Sequence, residues 1–170
     1  MNVGSPSTDR EMLTERLINA PREVVFAAWT DPEQVGKWWG PNGFTNTIHE
    51  MDVRPGGVWR FVMHGPDGVD YQNRIIFVEI VKPELIVYDH VSTPRFRSTV
   101  TFVDEDGKTR LSMRAVFEDV KAYERAVKVF GAAEGGKQHL GRLAEFVESR
   151  GRSDQSGKLE LWPLLGEIGR

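Results

Sequence analysis

Short turn sequences between apolar, β-branched runs restrict the fold of this chain more than any other feature. Between Thr45 and Phe117, clusters of Gly, Pro and Asp separate six runs that alternate in polarity. The runs are Thr45–Val53, Val58–His64, Val69–Val81, Leu85–Ser92, Phe96–Val103 and Thr109–Phe117. Connections this short join antiparallel neighbours, because a parallel crossover needs about a dozen residues or more. The sequence therefore predicts an antiparallel meander of about six strands.

Helical patterns stand on both sides of the meander. A short strand over Met12–Ile18 precedes a helix over Pro21–Trp29, and Asp31 followed by Pro32 predicts the N-cap and first turn of a second short helix. From Val120 to Val147 apolar residues recur every three or four positions, which predicts a long amphipathic helix. Glycines between positions 131 and 136 predict a kink or break in it.

This order of elements favours an α+β fold in which a curved antiparallel sheet wraps around the long C-terminal helix. The two short helices after the first strand then close one end of the sheet. Because one helix does not fill a strongly curved sheet, we expect an apolar cavity between them, and an apolar concavity is the usual form of a small-molecule site.

The 170 residues divide into three parts. Residues 1–10 are rich in Gly, Ser and Pro and predict a flexible leader, and residues 11–149 form one domain with one core. Residues 150–170 comprise a polar linker, Gly151–Gly157, and a tail with six apolar side chains at Leu159, Leu161, Trp162, Leu164, Leu165 and Ile168. Six such side chains favour packing over solvation, so we expect the tail to lie on its own domain or on a partner subunit in a homodimer.

Composition narrows the range of partners. With 22 basic and 25 acidic side chains the net charge is −3, which argues against nucleic acid as a partner. There is no cysteine, and no apolar run approaches the length that crosses a membrane, so we expect a cytoplasmic protein without membrane insertion. The four histidines lack the spacing of metal ligands, and no phosphate or dinucleotide fingerprint is present, so no metal and no cofactor are predicted.

Four sequence blocks carry a family resemblance. They are Asn19–Glu33, Lys37-Trp38-Trp39-Gly40-Pro41, Asp52-Val53-Arg54-Pro55-Gly56-Gly57 and Gly65-Pro66-Asp67-Gly68. Together they resemble the START and birch-pollen-allergen-like helix-grip superfamily, also called SRPBCC, in its branch of activator of heat-shock-protein-ninety ATPase homologues. The similarity runs from about Met12 to Val147. It implies binding of lipids, polyketides or other apolar molecules, cyclase or aromatase activity in some members, and chaperone assistance in others.

One position departs from the family pattern. Relatives commonly carry a Gly-Trp pair near the start of the last helix, whereas Gly135 is followed here by Gly136. Loss of an indole leaves a space that destabilises the fold unless something fills it. We therefore expect either a larger cavity at Gly136 or another side chain, a water, a ligand or the tail in its place.

Candidate binding residues follow from strand alternation and from the resemblance. Trp38 and Trp39 are expected at the lid of the cavity, with packing of the helix onto the sheet as the alternative reading. His49 alternates with Met51 and Val53, so it is expected to face inward, as a satisfied interior histidine or as a group that orients a ligand or acts as a base. The predicted binding residues are Trp38, Trp39, His49, Phe61, Tyr71, Arg74, Val100, Phe102, Met113, Phe117, Gly136 and Leu140.

Three functions are compatible with these observations. The leading prediction is binding of a small hydrophobic or aromatic molecule in the cavity between the sheet and the last helix. The second is a polyketide cyclase or aromatase-like enzyme that uses acid–base chemistry there, although no catalytic residue can be named because no motif identifies a nucleophile. The third is a chaperone-interacting module, which ranks last because the chain shows no second chaperone-binding domain.

Overall fold

The computed structural model describes residues 9–128 and 131–157, with side chains up to Ser149 in the last helix. Seven strands and four helices follow one another along this part of the chain. They are β1 (Glu11–Ile18), α1 (Arg22–Thr30), α2 (Pro32–Val35), β2 (Thr45–Met51), β3 (Val58–His64), β4 (Asp70–Val81), β5 (Leu85–His90), β6 (Phe96–Glu105), β7 (Lys108–Phe117), α3 (Val120–Lys128) and α4 (Ala132–Gly157).

All seven strands form one antiparallel sheet in the order β1-β7-β6-β5-β4-β3-β2. Strands β2 to β7 are the predicted meander, and each pairs with the next along the chain. Strand β1 returns to the far edge and pairs with β7 over its whole length, from Glu11 opposite Val116 to Ile18 opposite Thr109. The predicted antiparallel α+β fold is confirmed, with strand ends within a few residues of their predicted positions.

The last helix lies against the concave face of the sheet. Four α4 residues at the spacing i, i+3, i+4, i+7 are buried, namely Leu140, Leu143, Ala144 and Val147. This stripe packs with residues of β1, α1 and the central strands in one apolar core. The amphipathic period seen in the sequence is therefore the packing face of α4.

The C-terminal helical region agrees with the prediction in its break and differs from it after residue 150. The break falls at Gly131, whose φ of +62° separates α3 from α4, while Gly135 and Gly136 lie inside α4. Helix α4 also runs on to Gly157, so the interpretation of Gly151–Gly157 as a linker is wrong for the backbone. A glycine inside a helix costs only about 1 kcal/mol relative to alanine, which an otherwise polar helical segment tolerates.

Two sequence predictions lie outside the described residues: the first eight positions of the leader, and the apolar tail from Lys158 to Ile168. Within the described residues, no helix combines the length and the apolarity needed to cross a membrane.

Candidate functional site

The part of the concave face next to α1 and α4 is a packed aromatic core. Trp29 contacts Trp38 and Trp39 at ring distances of 5.1 and 5.5 Å, and Trp39 contacts Trp59 at 4.7 Å. Neither Trp38 nor Trp39 is more than 7% exposed, so both pack the short helices onto the sheet, as the alternative reading proposed. Four more predicted binding residues are buried in the same core: Phe61, Val100, Phe102 and Leu140.

Helix α4 holds the loop after α2 by hydrogen bonds to its backbone. The Nδ1 atom of His139 accepts from the N–H of Gly40 at 2.9 Å. The Arg142 guanidinium donates to three successive carbonyl oxygens, at 3.1 Å from Trp39, 3.1 Å from Gly40 and 2.9 Å from Pro41. These bonds fix the Trp-Trp-Gly-Pro block on the last helix.

His139 is unsuited to acid–base chemistry in this position. Burial, with the nearby Arg142 guanidinium as a smaller cause, lowers the pKa of His139 to about 3. The imidazole is therefore neutral at physiological pH, and its Nδ1 atom is occupied by the Gly40 bond. The geometry assigns His139 a structural role.

Beyond this core the concave face is only half covered, and we call this region the concave wall. Residues directly opposite each other in antiparallel strands share a face, so the strand pairing identifies its members. Met63 lies opposite Tyr71, His90 opposite Phe96, and Phe96 opposite Phe117. The concave wall comprises Met63, Tyr71, Asn73, His90, Phe96, Ser98, Met113, Ala115, Phe117 and, from α3, Tyr123.

A row of rings crosses the concave wall from β5 to α3. His90 stacks on Phe96 with centroids 4.8 Å apart, Phe96 contacts Phe117 at 5.1 Å, and Phe117 contacts Tyr123 at 5.8 Å. His90 and Phe117 are buried, while Phe96 and Tyr123 are half-buried. The wall therefore presents aromatic surface that the described residues cover only in part.

His90 brings hydrogen-bonding groups into this apolar surface. Its Nδ1 atom lies 2.7 Å from the carbonyl oxygen of Pro94, and its Nε2 atom lies 2.7 Å from Oδ1 of Asn73. The amide of Asn73 also donates from Nδ2 to the carbonyl oxygen of Tyr71 at 3.0 Å, which orients the side chain. Burial lowers the pKa of His90, and the bond to Pro94 partly offsets this.

Three of the predicted binding residues belong to the concave wall, and two others, Arg74 and His49, are exposed away from it. Met113 and Phe117 are on it, and Tyr71 lies at its rim with 38% of its surface exposed. Arg74 lies on the opposite face, exposed and across from Arg60, because it alternates with the inward-facing Asn73 and Ile75. Its prediction as an inward group is wrong.

The inward orientation predicted for His49 is also wrong. A bulge between Ile48 and Glu50 shifts the pairing of β2 with β3, so His49 has no partner in the register. Two successive residues, His49 and Glu50, are then exposed, and the alternation that pointed His49 inward is interrupted. A bulge of this kind leaves no distinct signal in a single sequence.

The position of the missing family tryptophan is filled from β1 and β7. A Cβ atom added to Gly136 would lie 3.0 Å from Oγ1 of Thr14 and 3.9 Å from Cε of Met113. Other side chains therefore take the place of the indole, which was one of the two expectations. Glycine here allows the backbone of α4 to approach β1 closely.

Sequence reasoning missed Asn73, His90 and Phe96 as wall residues. The signal for His90 was available, since it continues the alternation of the buried Ile86 and Tyr88 along β5. For Asn73 no signal was available, because the contact with His90 joins two strands.

Two surface clefts in the described residues lie away from the concave wall. One, of about 300 Å³, is lined by Phe26, Ala27, Thr30, Asp31, Val53, Ile80 and Lys82. The other, of about 360 Å³, is lined by Thr93, Pro94, Arg95, Glu118, Asp119, Lys121, Ala122 and Arg125. Neither contains a predicted binding residue. Among the described side chains, no group of three or more histidines and carboxylates is placed to hold a metal ion.

A curved antiparallel sheet closed by a C-terminal helix, with two short helices after the first strand, defines a helix-grip domain. The chain belongs to the family described as Activator of Hsp90 ATPase homolog 1-like protein, whose model matches residues 19–148. No curated protein matches the sequence.

Solved structures similar to this chain come from several bacteria. A protein from Arthrobacter aurescens is 20% identical with a TM-score of 0.79, covering 92% of this chain and 96% of its own. A protein from Chromobacterium violaceum is 25% identical with a TM-score of 0.72, covering 82% and 97%. The AHSA1-like protein from Aeromonas hydrophila is 21% identical with a TM-score of 0.67, covering 83% and 94%. These similarities support the fold.

Proposed function

We propose that this protein binds a small hydrophobic or aromatic molecule against the concave wall, between the sheet and its C-terminal helices. The observation that supports this most directly is a difference in burial between two parts of the concave face. Beside α4 the aromatic side chains are fully packed, whereas in the row of rings from β5 to α3 Phe96 and Tyr123 are only half-buried. A partly covered apolar concavity with a few polar groups is the usual form of a ligand site.

Most of the binding free energy would come from apolar surface. Burial contributes about 25 cal/mol per Å², so a ligand that covers Phe96, Met113 and the ring of Tyr123 gains affinity in proportion to the area it hides. The polar pair Asn73 and His90 lies within the same wall and would orient the ligand. Membership of the helix-grip family supports the same proposal.

Binding is favoured over catalysis because none of three histidines, His49, His90 and His139, is placed to act as a general acid or base. His49 is exposed, His139 is neutral and bonded to Gly40, and both ring nitrogens of His90 already have hydrogen-bond partners. A general base needs a free nitrogen within reach of its substrate. The proposal therefore includes no reaction.

The proposal is tested with a neutral apolar dye, N-phenyl-1-naphthylamine, whose fluorescence rises in apolar surroundings. Ala115 is half-buried on the concave wall, and its neighbour Val116 points to the outer face of the same strand. We expect Ala115→Trp to weaken dye binding at least about tenfold, because the indole occupies the wall, and Val116→Trp to leave it unchanged.

Circular dichroism spectra and melting temperatures establish that both variants are folded. Equal dye affinity in the wild type and in Ala115→Trp would contradict the wall as the binding surface. Absence of dye binding to the wild type, together with no retained small molecule in native mass spectrometry, would contradict the proposed function itself.

A further inference from the structure

The hydrogen bonds around His90 define what this histidine requires from its surroundings. The nearest contact of each ring nitrogen is an oxygen atom that only accepts: the Pro94 carbonyl at Nδ1 and the Asn73 amide oxygen at Nε2, each at 2.7 Å, while the Ser92 hydroxyl lies farther from Nε2, at 3.5 Å. Rotation of the amide would present Nδ2 to the ring, but Nδ2 is held by its bond to the Tyr71 carbonyl. Both contacts are satisfied together only when both nitrogens carry protons, that is, when the ring is an imidazolium.

Burial, in contrast, favours the neutral form of the ring. The side chain is 8% exposed and stacks on Phe96, and a buried cation is stable only beside an anion or a comparable set of acceptors. Its hydrogen-bond contacts in the described structure are neutral ones, to Asn73, Pro94 and, at 3.5 Å, Ser92. The two shortest hydrogen bonds favour a charged ring, while the described residues in contact with it supply no matching negative charge.

The charged groups on β5 and the strands beside it either form ion pairs with one another or face the outer side of the sheet. On β5 itself, Asp89 faces the outer side and binds Arg97 at 2.7 Å. Around the β5–β6 loop and the end of β7, Arg95 pairs with Glu118 at 4.0 Å. The remaining titratable groups of β3 to β5 are the outward-facing Arg60, His64, Asp70, Arg74 and Glu79, and the concave Tyr71 and Tyr88. Burial raises the pKa of Tyr88 to about 12, so that phenol stays neutral.

We propose that the ligand of the concave wall carries an acidic group, such as a carboxylate, and that this group pairs with His90. This rests on the proposed function and specifies its ligand class as apolar acids. A carboxylate oxygen accepts from Nε2–H more strongly than an amide oxygen does, so it replaces Asn73 Oδ1 there and supplies the missing charge. The apolar body of the ligand then covers Phe96 and the neighbouring wall. His90 takes up a proton when the acid binds.

The test compares two probes that share one ring system, 1-naphthylacetate and the neutral 1-naphthylacetamide. Isothermal titration calorimetry at pH 7 in buffers of different ionisation enthalpy measures both affinity and proton uptake. We expect the wild type to bind the acid at least about tenfold more tightly than the amide, which is the usual gain from a charge-assisted hydrogen bond. The acid should bind with uptake of up to one proton, and the amide with none.

Two variants test whether the preference for the acid over the amide depends on His90. His90→Gln keeps a polar side chain without a titratable charge, so it should bind both probes with the affinity of the amide. The exposed His49 provides the matched control, and His49→Gln should keep the preference. The proton uptake of the wild type provides a second readout that needs no variant.

The outcomes separate this inference from the proposed function. Equal affinities for acid and amide in the wild type, without proton uptake, would overturn the acidic ligand class and leave apolar binding in place. A preference for the acid that survives in His90→Gln would also overturn it. If neither probe binds and N-phenyl-1-naphthylamine does not bind either, the proposed function itself fails.

Discussion

At the scale of single residues, His139 shows how one side chain can stabilise the fold and be unsuited to catalysis. Its ring lies 4.3 Å from Trp39, between centroids, and its Nδ1 atom binds the Gly40 N–H. Since its pKa is about 3 in the folded state and 6.5 ordinarily, the unfolded chain binds a proton more readily than the folded one. The contribution of His139 to stability is therefore complete above about pH 6.5 and is lost progressively toward pH 3.

We predict that replacing His139 reduces the acid sensitivity of the protein. One proton taken up on unfolding costs about 1.4 kcal/mol of stability per pH unit, so the free energy of unfolding should fall by about 2–3 kcal/mol between pH 7.5 and pH 4.5 on account of His139. In His139→Gln this part of the pH dependence should disappear, although the variant is less stable at pH 7.5. Urea unfolding at the two pH values measures it.

The exposed His49 serves as the control for this prediction as well, because His49→Gln should retain the full pH dependence. A wild-type decrease that persists unchanged in His139→Gln would show that other groups, such as the buried His90, cause the acid sensitivity.

At the scale of elements, the turn between β2 and β3 carries two glycines for different reasons. Gly56 has a φ of +84°, and a Cβ atom added to it would meet nothing within 4 Å. Gly57 has no such φ, but its Cβ atom would lie 1.9 Å from the carbonyl oxygen of Asp52. The N–H of Gly56 and the carbonyl of Gly57 also bond Phe77 of β4, so this turn has little freedom to move.

We predict that Gly57→Ala destabilises the protein more than Gly56→Ala does. Alanine at position 56 meets only the left-handed backbone penalty of about 1–2 kcal/mol. Alanine at position 57 forces the backbone apart, which costs about 3 kcal/mol or more because bond angles and both Phe77 bonds must adjust. Chemical denaturation of the two variants measures the difference, and equal losses would show that the turn relaxes around the new methyl group.

At the scale of the whole molecule, Val147 is the last residue of the described core along the chain, and 13 residues follow the end of α4 at Gly157. The apolar character of that C-terminal tail is a property of the sequence, and its packing remains our prediction. We expect deletion of residues 158–170 to lower the melting temperature or to shift a dimer toward monomer in light scattering, because apolar contacts are lost. A truncated protein with unchanged melting temperature and mass would refute the prediction.

The sequence by itself determined the architecture. Short turns required antiparallel neighbours, and the helical period from Leu140 to Val147 identified the buried stripe of α4. These features are local, since a turn and a period are written in residues close along the chain. The aromatic residues Phe61 and Phe102 were likewise placed inward by simple alternation.

Only the tertiary structure decided which part of the concave face is packed and which is half covered, because coverage depends on where α3 and α4 lie. It also decided the orientation of His49, through a bulge in the pairing of β2 with β3. The pairing of His90 with Asn73, 17 residues apart, and of Arg142 with the Trp39 carbonyl, 103 residues apart, likewise appears only after folding. Such contacts depend on the relative positions of separate elements, which no local pattern of residues specifies.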